Sequence, residues 1–175
     1  MSILQSFLEE IFTKKLWEPS KILKRNDILV NKGDFSKDLF FVKSGAITVT
    51  TEIEEKEQII RFAYQNSMFA AIDSFLYNKA TIYNVKTLKE TEILTVSKEK
   101  LQKIFDENPT FYSELLKELI HQQSEREIDL LHHSASARFE RILKRSPKLF
   151  QEVPHKYIAS YLRISPETLS RLLKN

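Results

Sequence analysis

The hydrophobic period changes once along this chain, and the change limits the folds open to it. From Ile22 to Val96, apolar and polar residues alternate in short runs rich in β-branched and aromatic side chains, a pattern typical of strands. After Ser97 the apolar residues recur at helical spacing. The strand-like runs cover residues 28–30, 39–42, 46–51, 58–64, 82–88 and 92–96. Many short strands joined by turns predict an antiparallel sandwich or roll, here followed by helices.

Helices are predicted on both sides of the roll. Residues 2–12 place apolar side chains at helical spacing, and Ser97 is a favourable N-cap for a short helix that ends near Asp106. Asn108 and Pro109 repeat the cap-then-proline signal and begin a longer helix that runs to about His133.

The long helix carries a seam at 4-3 spacing, the spacing of helices that pair side by side. Its members are Tyr112, Leu116, Leu119, Gln123, Arg126, Leu130 and His133, with Leu115, Ile120 and Leu131 widening the stripe. We interpret residues 109–133 as a dimerisation helix that also packs on the roll. A monomeric core helix is the alternative.

The chain beyond this helix is interpreted as a separate unit. Residues 134–136 offer a new cap, so a hinge near 132–136 divides the chain into domains 1–133 and 134–175. The expected fold class is α+β: an N-terminal antiparallel, jelly-roll-like β-roll that acts as a sensor, the long dimerisation helix, and an all-α C-terminal domain.

The last residues, 153–175, predict two short helices with a tight turn between them. Ser165 followed by Pro166 is a hydroxyl N-cap followed by proline at the first helical position, so a helix begins there. One face of this helix carries Leu169, Leu172 and Leu173. The opposite face carries Glu167, Ser170, Arg171 and Lys174. This is the helix-turn-helix pattern, with residues 163–165 in the turn. An amphipathic helix pair with merely solvated charges is the alternative.

Charge is distributed unevenly along the chain. Residues 134–175 hold nine Lys and Arg against three acids, a net charge of +6, whereas residues 1–133 hold 18 against 21, a net charge of −3. A basic tail on an acidic body is expected when only the tail meets phosphates.

Several classes of protein are disfavoured by what the chain lacks. It has no cysteine, so thiolate metal sites and cysteine nucleophiles are excluded. All four histidines follow the last strand, and no GxSxG motif is present, so we expect neither a metal site nor an enzyme. The longest apolar run, residues 68–72, is far too short to span a membrane, and no export signal is visible, so we expect a cytoplasmic protein.

The order of these parts resembles the Crp/Fnr superfamily of transcription regulators over essentially the whole length. The resemblance lies in KGDFSKDLFFVKSGAITV at residues 32–49, in the entry to the helices at 96–101, and most strongly in VPHKYIASYLRISPETLSRLL near the end. It implies a homodimer with a cyclic-nucleotide-binding-like roll, a palindromic double-stranded DNA site, no membrane and no cofactor. RNA polymerase is a further partner that it implies.

The resemblance also implies roles for particular residues. Glu167, Ser170 and Arg171 match the family's E-x-x-S-R base-reading pattern, in which arginine pairs with guanine and glutamate accepts from cytosine. The candidate phosphate contacts are Ser165, Lys156, Arg163 and Lys174. Arg163 stands where such turns usually have glycine, which costs on the order of 1 kcal/mol if the backbone there is left-handed.

The roll departs from the family's cyclic-nucleotide cassette, which needs a glycine, a glutamate and an arginine. The equivalent stretch is Phe69 to Ser74, and the position of the arginine falls near Thr81. Without that guanidinium a bound phosphate would be left unpaired, at a cost of several kcal/mol. Binding of cyclic AMP in the family's manner is therefore not expected, and the effector is unknown. The candidate ligand-pocket residues are Ala71, Ile72, Asp73, Thr81, Gln123 and Ser124.

Two other functions remain open from the sequence. One is a ligand-binding module of the cyclic-nucleotide type whose helix pair docks on a protein partner. The other is a cupin-like enzyme, against which the placement of the histidines argues. A constitutive regulator with a filled roll is a variant of the favoured interpretation.

Overall fold

The computed structural model describes residues 3–174, with side chains from Gln5 onward. Its elements are α1 (Ile3–Thr13), β1 (Lys21–Leu23), β2 (Ile28–Val30), β3 (Asp38–Ser44), β4 (Ala46–Ile53), β5 (Lys56–Tyr64), β6 (Met68–Phe69), α2 (Ile72–Tyr77), β7 (Asn84–Thr87), β8 (Thr91–Ser97), α3 (Lys98–Glu107), α4 (Pro109–Leu131), α5 (Ala135–Arg145), α6 (Leu149–Glu152), α7 (His155–Leu162) and α8 (Pro166–Leu172). The predicted α+β architecture of a roll followed by helices is confirmed.

The strands form two antiparallel sheets of four strands each. One has the order β1-β8-β3-β6 and the other β2-β7-β4-β5. Side chains that alternate inward along both sheets bury an apolar core between them. This core contains Val30, Phe40, Val42, Ile47, Val49, Ala63, Phe69, Ala71, Val85 and Ile93.

Five of the six runs that the sequence predicted as strands lie within strands of the structure, and the sixth, residues 82–88, extends beyond β7 at both ends. The sequence pattern missed the three-residue strand β1, the two-residue strand β6 and the six-residue helix α2. Segments this short contain fewer than two repeats of the strand or helix period, so the hydrophobic pattern does not reveal them. Of the predicted opening helix, Ser2 lies outside the described residues.

Gly45 joins β3 to β4 in a conformation that its neighbours require. Its φ is +95°, a region that side chains other than glycine rarely adopt. A Cβ there would also collide with the backbone and side chain of Thr91 on β8. The turn therefore depends on glycine for two independent reasons.

The helices α1, α3 and α4 close one end of the roll. Ser97 caps α3 as predicted, accepting a hydrogen bond from the Lys100 N–H at 3.3 Å. Asn108, in contrast, makes no side-chain cap, so Pro109 is the local signal that begins α4. The apolar cluster under these helices contains Phe7, Ile11, Leu39, Ala70, Phe75, Val96, Leu101, Ile104, Phe105, Leu115 and Leu119.

The 4-3 seam predicted on the long helix combines residues from two faces. Leu119 is buried under the roll and Arg126 lies against α7, so neither belongs to an exposed seam. The exposed apolar stripe is instead centred on Ile120 and Leu131, whose exposed fractions are 64% and 74%. Leu116 lies beside them, one helical turn before Ile120.

The C-terminal helices share an apolar cluster with the roll. Phe139 and Ile142 of α5, Ile158 and Leu162 of α7, and Leu169 of α8 are its helical members. The roll contributes Ala46, Ile59 and Leu88. The predicted hinge lies between the end of α4 at Leu131 and the start of α5 at Ala135, where Ser134 caps α5. The division into two domains stays a prediction.

A cluster of four charged side chains joins α4 to α5. Asp129 is fully buried, and its carboxylate accepts hydrogen bonds from Arg141 at 2.9 Å and from Arg145 at 2.6 Å. Glu125 contacts the same two arginines at 2.7 and 2.9 Å. Burial opposes the charged form of Arg145, but its hydrogen bonds to the two acids outweigh this, so the pKa of Arg145 lies above the ordinary arginine value.

Removing the carboxylate charge at the centre of this cluster should destabilise the protein strongly. We expect Asp129→Asn to lower the free energy of unfolding by about 3 kcal/mol, because it leaves two half-buried guanidinium groups short of a partner. Urea denaturation would measure the loss. Glu127→Gln, on an exposed part of the same helix, is the matched control and should change stability little. Equal losses of unfolding free energy in the two variants would contradict the proposed contribution of the cluster to stability.

Candidate nucleic-acid interface

The start of α8 is fixed by its own sequence. Ser165 has an extended backbone, and its Oγ accepts a hydrogen bond from the Thr168 N–H at 3.2 Å. Pro166 occupies the first helical position, where no N–H is needed. The predicted N-cap is therefore confirmed, with Ser165 Oγ as the acceptor.

One buried leucine holds α8 against the domain. Leu169 is only 1% exposed and belongs to the cluster shared with the roll, and Leu172 is partly buried beside it. The prediction that Leu173 also faces inward is wrong, since it is 38% exposed. The backbone of Leu173 is still helical, and its N–H donates to the Leu169 carbonyl at 3.0 Å, but its side chain lies outside the apolar cluster that contains Leu169 and Leu172.

The outward face of α8 carries the three residues predicted to read bases. Glu167, Ser170 and Arg171 are all exposed. Arg171 donates from Nη2 to the Thr168 hydroxyl at 3.3 Å, a single contact that leaves most of its N–H groups open. The pKa of Glu167 is lowered by hydrogen bonds from its own backbone N–H and from Ser165, so this side chain is an acceptor at neutral pH.

The turn between α7 and α8 has the left-handed backbone that its position suggested. Arg163 has φ 56° and ψ 47°. The N–H groups of Arg163 and Ile164 close α7 by donating to the carbonyls of Ser160 and Ala159, each at 3.0 Å. An arginine therefore stands at a C-cap that glycine occupies at lower cost.

The remaining candidate phosphate contacts lie around the same surface. Lys156 is exposed in the first turn of α7, with its ammonium 4.8 Å from the centre of the Tyr157 ring. Arg163 and Lys174 are exposed at the two ends of α8. Cations at these positions flank the outward face of the helix.

Two sets of contacts hold α7, the first helix of the pair, in position. Arg138 of α5 donates from Nε to the Leu162 carbonyl at 2.9 Å and from Nη1 to the His132 carbonyl at 2.7 Å, so it ties the end of α7 to the end of α4. Tyr161 of α7 packs between the Phe62 ring at 5.3 Å and the Arg126 guanidinium at 3.7 Å. Burial raises the pKa of the Tyr161 hydroxyl.

The candidate ligand residues of the roll separate into two groups. Ala71, Ile72, Asp73 and Thr81 lie together, and the Asp73 carboxylate accepts hydrogen bonds from the Thr81 hydroxyl at 2.8 Å and the Ile82 N–H at 2.9 Å. Gln123 and Ser124 do not line the cleft described next, although both are on α4. The family's cassette needs a cation in this stretch to pair with phosphate. Here the Asp73 carboxylate already accepts the hydrogen bonds of two donors.

A cleft of about 420 Å³ lies between β5, β6, α4, α6 and Tyr161 of α7. Sequence reasoning missed its principal polar residues, Arg61, Gln122 and Arg126. Arg61 donates to the Gln122 amide oxygen at 3.2 Å, and Arg126 donates to the Ile59 carbonyl at 3.3 Å. The i,i+4 spacing of Gln122 and Arg126 places both on one helix face, but no local signal connects them with Arg61.

In the part of the chain that the structure describes, no three metal-ligating side chains are grouped so as to hold a metal ion. Within residues 3–174, no helix is long and apolar enough to cross a membrane.

Fold and site together define a protein with a cyclic-nucleotide-type β-roll, a long connecting helix and a helix-turn-helix. The family model described as the cyclic nucleotide-binding domain matches residues 20–108, more than half of the chain. The chain belongs to this family.

Solved structures extend the likeness to the C-terminal helices. FixK2 from Bradyrhizobium japonicum matches with a TM-score of 0.72 and 14% identity, covering 89% of this chain and 82% of that one. A mutant of CooA from Carboxydothermus hydrogenoformans matches with a TM-score of 0.69 and 21% identity, covering 96% and 82%. The predicted Crp/Fnr arrangement of roll, long helix and C-terminal helical domain is confirmed at the level of the fold.

A curated relative matches part of the chain. The potassium channel KAT1 of rice (Oryza sativa subsp. japonica) is 30% identical over 104 residues, which is 59% of this chain and 14% of the channel. The chain therefore spans a small part of that relative's length.

Relieving the strain at the turn should stabilise the protein. We expect Arg163→Gly to raise the free energy of unfolding by up to about 1 kcal/mol, because glycine adopts the left-handed conformation without a Cβ clash. Thermal and urea unfolding would measure the gain. Arg163→Ala removes the same charge but keeps the Cβ, so it should give no such gain. A gain of the same size in both variants would assign the effect to charge instead.

Proposed function

We propose that this protein is a dimeric, sequence-specific DNA-binding regulator of transcription that reads DNA with α8. The observation that carries the proposal is the exposed set Glu167, Ser170 and Arg171 on a helix that buried Leu169 holds to the domain. Side chains on a helix of this kind reach base edges in the major groove. Arginine pairs with guanine and glutamate accepts from the cytosine amino group.

The surrounding charge supports the same surface. Residues 134–175 carry a net charge of +6, and Lys156, Arg163 and Lys174 are exposed around α8. Contacts from such cations to phosphates position a protein on the duplex without reading its sequence. Ser165 is the weakest phosphate candidate, because its Oγ accepts from the Thr168 N–H and its O–H donates to the Glu167 carboxylate.

The exposed apolar stripe of α4 supports a dimer. Ile120 and Leu131 are large, exposed and on one face of the helix, and Leu116 lies between them and the start of the helix. A second copy of the same helix would cover this stripe by side-by-side packing. Two copies of α8 related by a two-fold axis would then read a palindromic site with half-sites about one helical turn apart.

A relative's role supports the regulatory part of the proposal. CooA is named as a CO-dependent transcription factor, and it has the same order of roll, long helix and C-terminal helices. For this chain we propose a cytoplasmic regulator that acts through RNA polymerase and has no catalytic activity. Thr81, near the position where the family's cassette needs an arginine, argues against cyclic AMP as its effector, since a bound phosphate would lack a cationic partner there.

Base reading and phosphate contact are separable by mutation. We expect Arg171→Ala to relax preference at one base position and to weaken the selected site by about 1–3 kcal/mol, because a bidentate contact to guanine is lost. Selection from random DNA followed by titration of single-base variants would measure both effects.

Lys174→Ala, near the same end of α8 as Arg171, is the matched comparison. It should weaken all sequences alike and lower the slope of log affinity against log salt by about 1. Equal losses on all sequences for both variants would contradict the reading role of Arg171. Absence of salt-dependent DNA binding would favour a ligand-binding module that docks on a protein.

A charge placed in the exposed stripe of α4 should break the dimer. We expect Ile120→Asp to shift the protein to a monomer, because an aspartate at a helix interface would be buried without a partner. Sedimentation equilibrium would measure the shift. Ile53→Asp, at an exposed position of similar hydrophobicity on β4, should leave the oligomeric state unchanged. A wild-type monomer would refute the dimer directly.

A further inference from the structure

A hydroxyl that the sequence pattern did not single out lies between the side chains that are proposed to read bases. Thr168 is half-buried in the first turn of α8, three residues after Ser165 and three before Arg171. Residues three apart on a helix are neighbours on its surface. The three side chains therefore form one row, and two hydrogen bonds join them.

The Thr168 hydroxyl holds the Arg171 guanidinium toward the start of α8. Arg171 Nη2 donates to Thr168 Oγ1 at 3.3 Å. The N-terminal residues of a recognition helix are the ones that contact base edges, so this bond draws the guanidinium toward the end of the helix that meets the bases. A long arginine side chain loses rotamer entropy when it is fixed on a base. Holding it in the free protein moves part of that loss ahead of binding.

The hydrogen bonds run in one direction, from the cation to the anion. A carboxylate can only accept, so the Ser165 O–H donates to Glu167. Ser165 Oγ and Thr168 Oγ1 are 3.2 Å apart, and the Thr168 O–H is then the donor between them. A chain through two hydroxyls thus joins the two charged readers, Arg171 and Glu167. Hydrogen bonds in such a chain strengthen one another.

The same bonding leaves the Thr168 hydroxyl without a proton for DNA. A threonine hydroxyl has one proton, and here that proton is used on Ser165 Oγ. The phosphates of DNA are anions that accept hydrogen bonds, so a phosphate would have to compete for it. The bonding therefore favours support of Arg171 over a direct contact between Thr168 and the DNA backbone.

We propose that Thr168 is a positioning residue for base reading: its hydroxyl sets the Arg171 guanidinium before DNA is bound and, through Ser165, links it to Glu167. The proposal rests on the proposed DNA-reading function of α8. Guanine is read by two parallel hydrogen bonds from one guanidinium, so the orientation of that group decides how well guanine is told from other bases. Thr168 therefore contributes to selectivity at one base position and contributes little to affinity for DNA of every sequence.

Three variants isolate the hydroxyl. Thr168→Val removes it and leaves the backbone N–H of residue 168, which caps α8 by donating to Ser165 Oγ. Thr168→Ser keeps the hydroxyl and is the conservative variant that should behave like the wild type. Thr110→Val makes the same change at an exposed position in the first turn of α4 and is the matched control. Both valine variants should melt close to the wild-type temperature, because valine and threonine have similar helix propensities.

The first measurement is made on the purified full chain without DNA. NMR relaxation of the Arg171 Nε–H group, assigned by comparison with Arg171→Ala, gives the order parameter of that side chain. Thr168→Val should lower the order parameter, whereas Thr168→Ser and Thr110→Val should leave it unchanged. An order parameter that Thr168→Val does not change would overturn the proposal.

The second measurement uses DNA and the base whose preference Arg171→Ala removes. Thr168→Val should lower the preference for guanine at that base by about 3- to 10-fold, the contribution of one hydrogen bond. The slope of log affinity against log salt should stay at the wild-type value, because no phosphate contact is lost. Thr168→Ser should keep the preference. When Arg171→Ala is already present, Thr168→Val should cause no further loss.

Three results with DNA would overturn the proposal. An equal loss on all sequences would make Thr168 a contact to the DNA backbone, and a loss that persists in the presence of Arg171→Ala would show that Thr168 acts without Arg171. An unchanged preference for guanine would show that Thr168 has no role in reading. If the wild-type protein does not distinguish DNA sequences, the proposed function of α8 fails and the role in base reading fails with it. The order parameter of Arg171 then still shows whether Thr168 holds the guanidinium.

Discussion

The buried carboxylate of Asp129 is the constraint on which the arrangement of this protein depends. It lies near the end of α4, and it receives hydrogen bonds from Arg141 and Arg145 of α5. A fully buried charge demands close and well-directed partners, so α5 has little freedom to move on α4. The position of α5 in turn governs α7, because Arg138 bonds to the carbonyls of both Leu162 and His132.

Three faces of the long helix α4 have different surroundings. Leu115 and Leu119 pack under the roll, Arg126 and Asp129 face the C-terminal helices, and Ile120 and Leu131 remain exposed. In the proposed dimer the exposed face would meet a second copy, so the spacing of two reading helices would follow from one rigid element. The shared apolar cluster, which contains Ile59 of the roll and Leu169 of α8, packs the C-terminal helices against the roll.

The roll has the family's architecture with a different chemistry in its cassette. Asp73 bonds to Thr81 and to the Ile82 N–H, so donors in that stretch are already occupied by a carboxylate. Positive charge without an internal partner lies instead in the neighbouring cleft, at Arg61 and Arg126. Without the arginine of the family's cassette, a phosphate bound in the cassette would lack a cationic partner.

Local sequence determined the elements whose signals lie within one turn of the chain. Ser97, Ser134 and Ser165 cap their helices through a hydrogen bond to the N–H three residues later, and such a bond depends only on nearby residues. The same is true of the outward face of α8, since helical periodicity alone places Glu167, Ser170 and Arg171 together.

Tertiary structure decided what depends on contacts between distant residues. Arg61 and Gln122 are 61 residues apart, and no pattern in the sequence joins them. Likewise, 4-3 spacing predicted a long helix with an apolar seam, but only packing against the roll and α7 assigned Leu119 and Arg126 to the inside and left Ile120 exposed. Periodicity gives the angle of a side chain around its helix, whereas the partner at that angle is set by the whole fold.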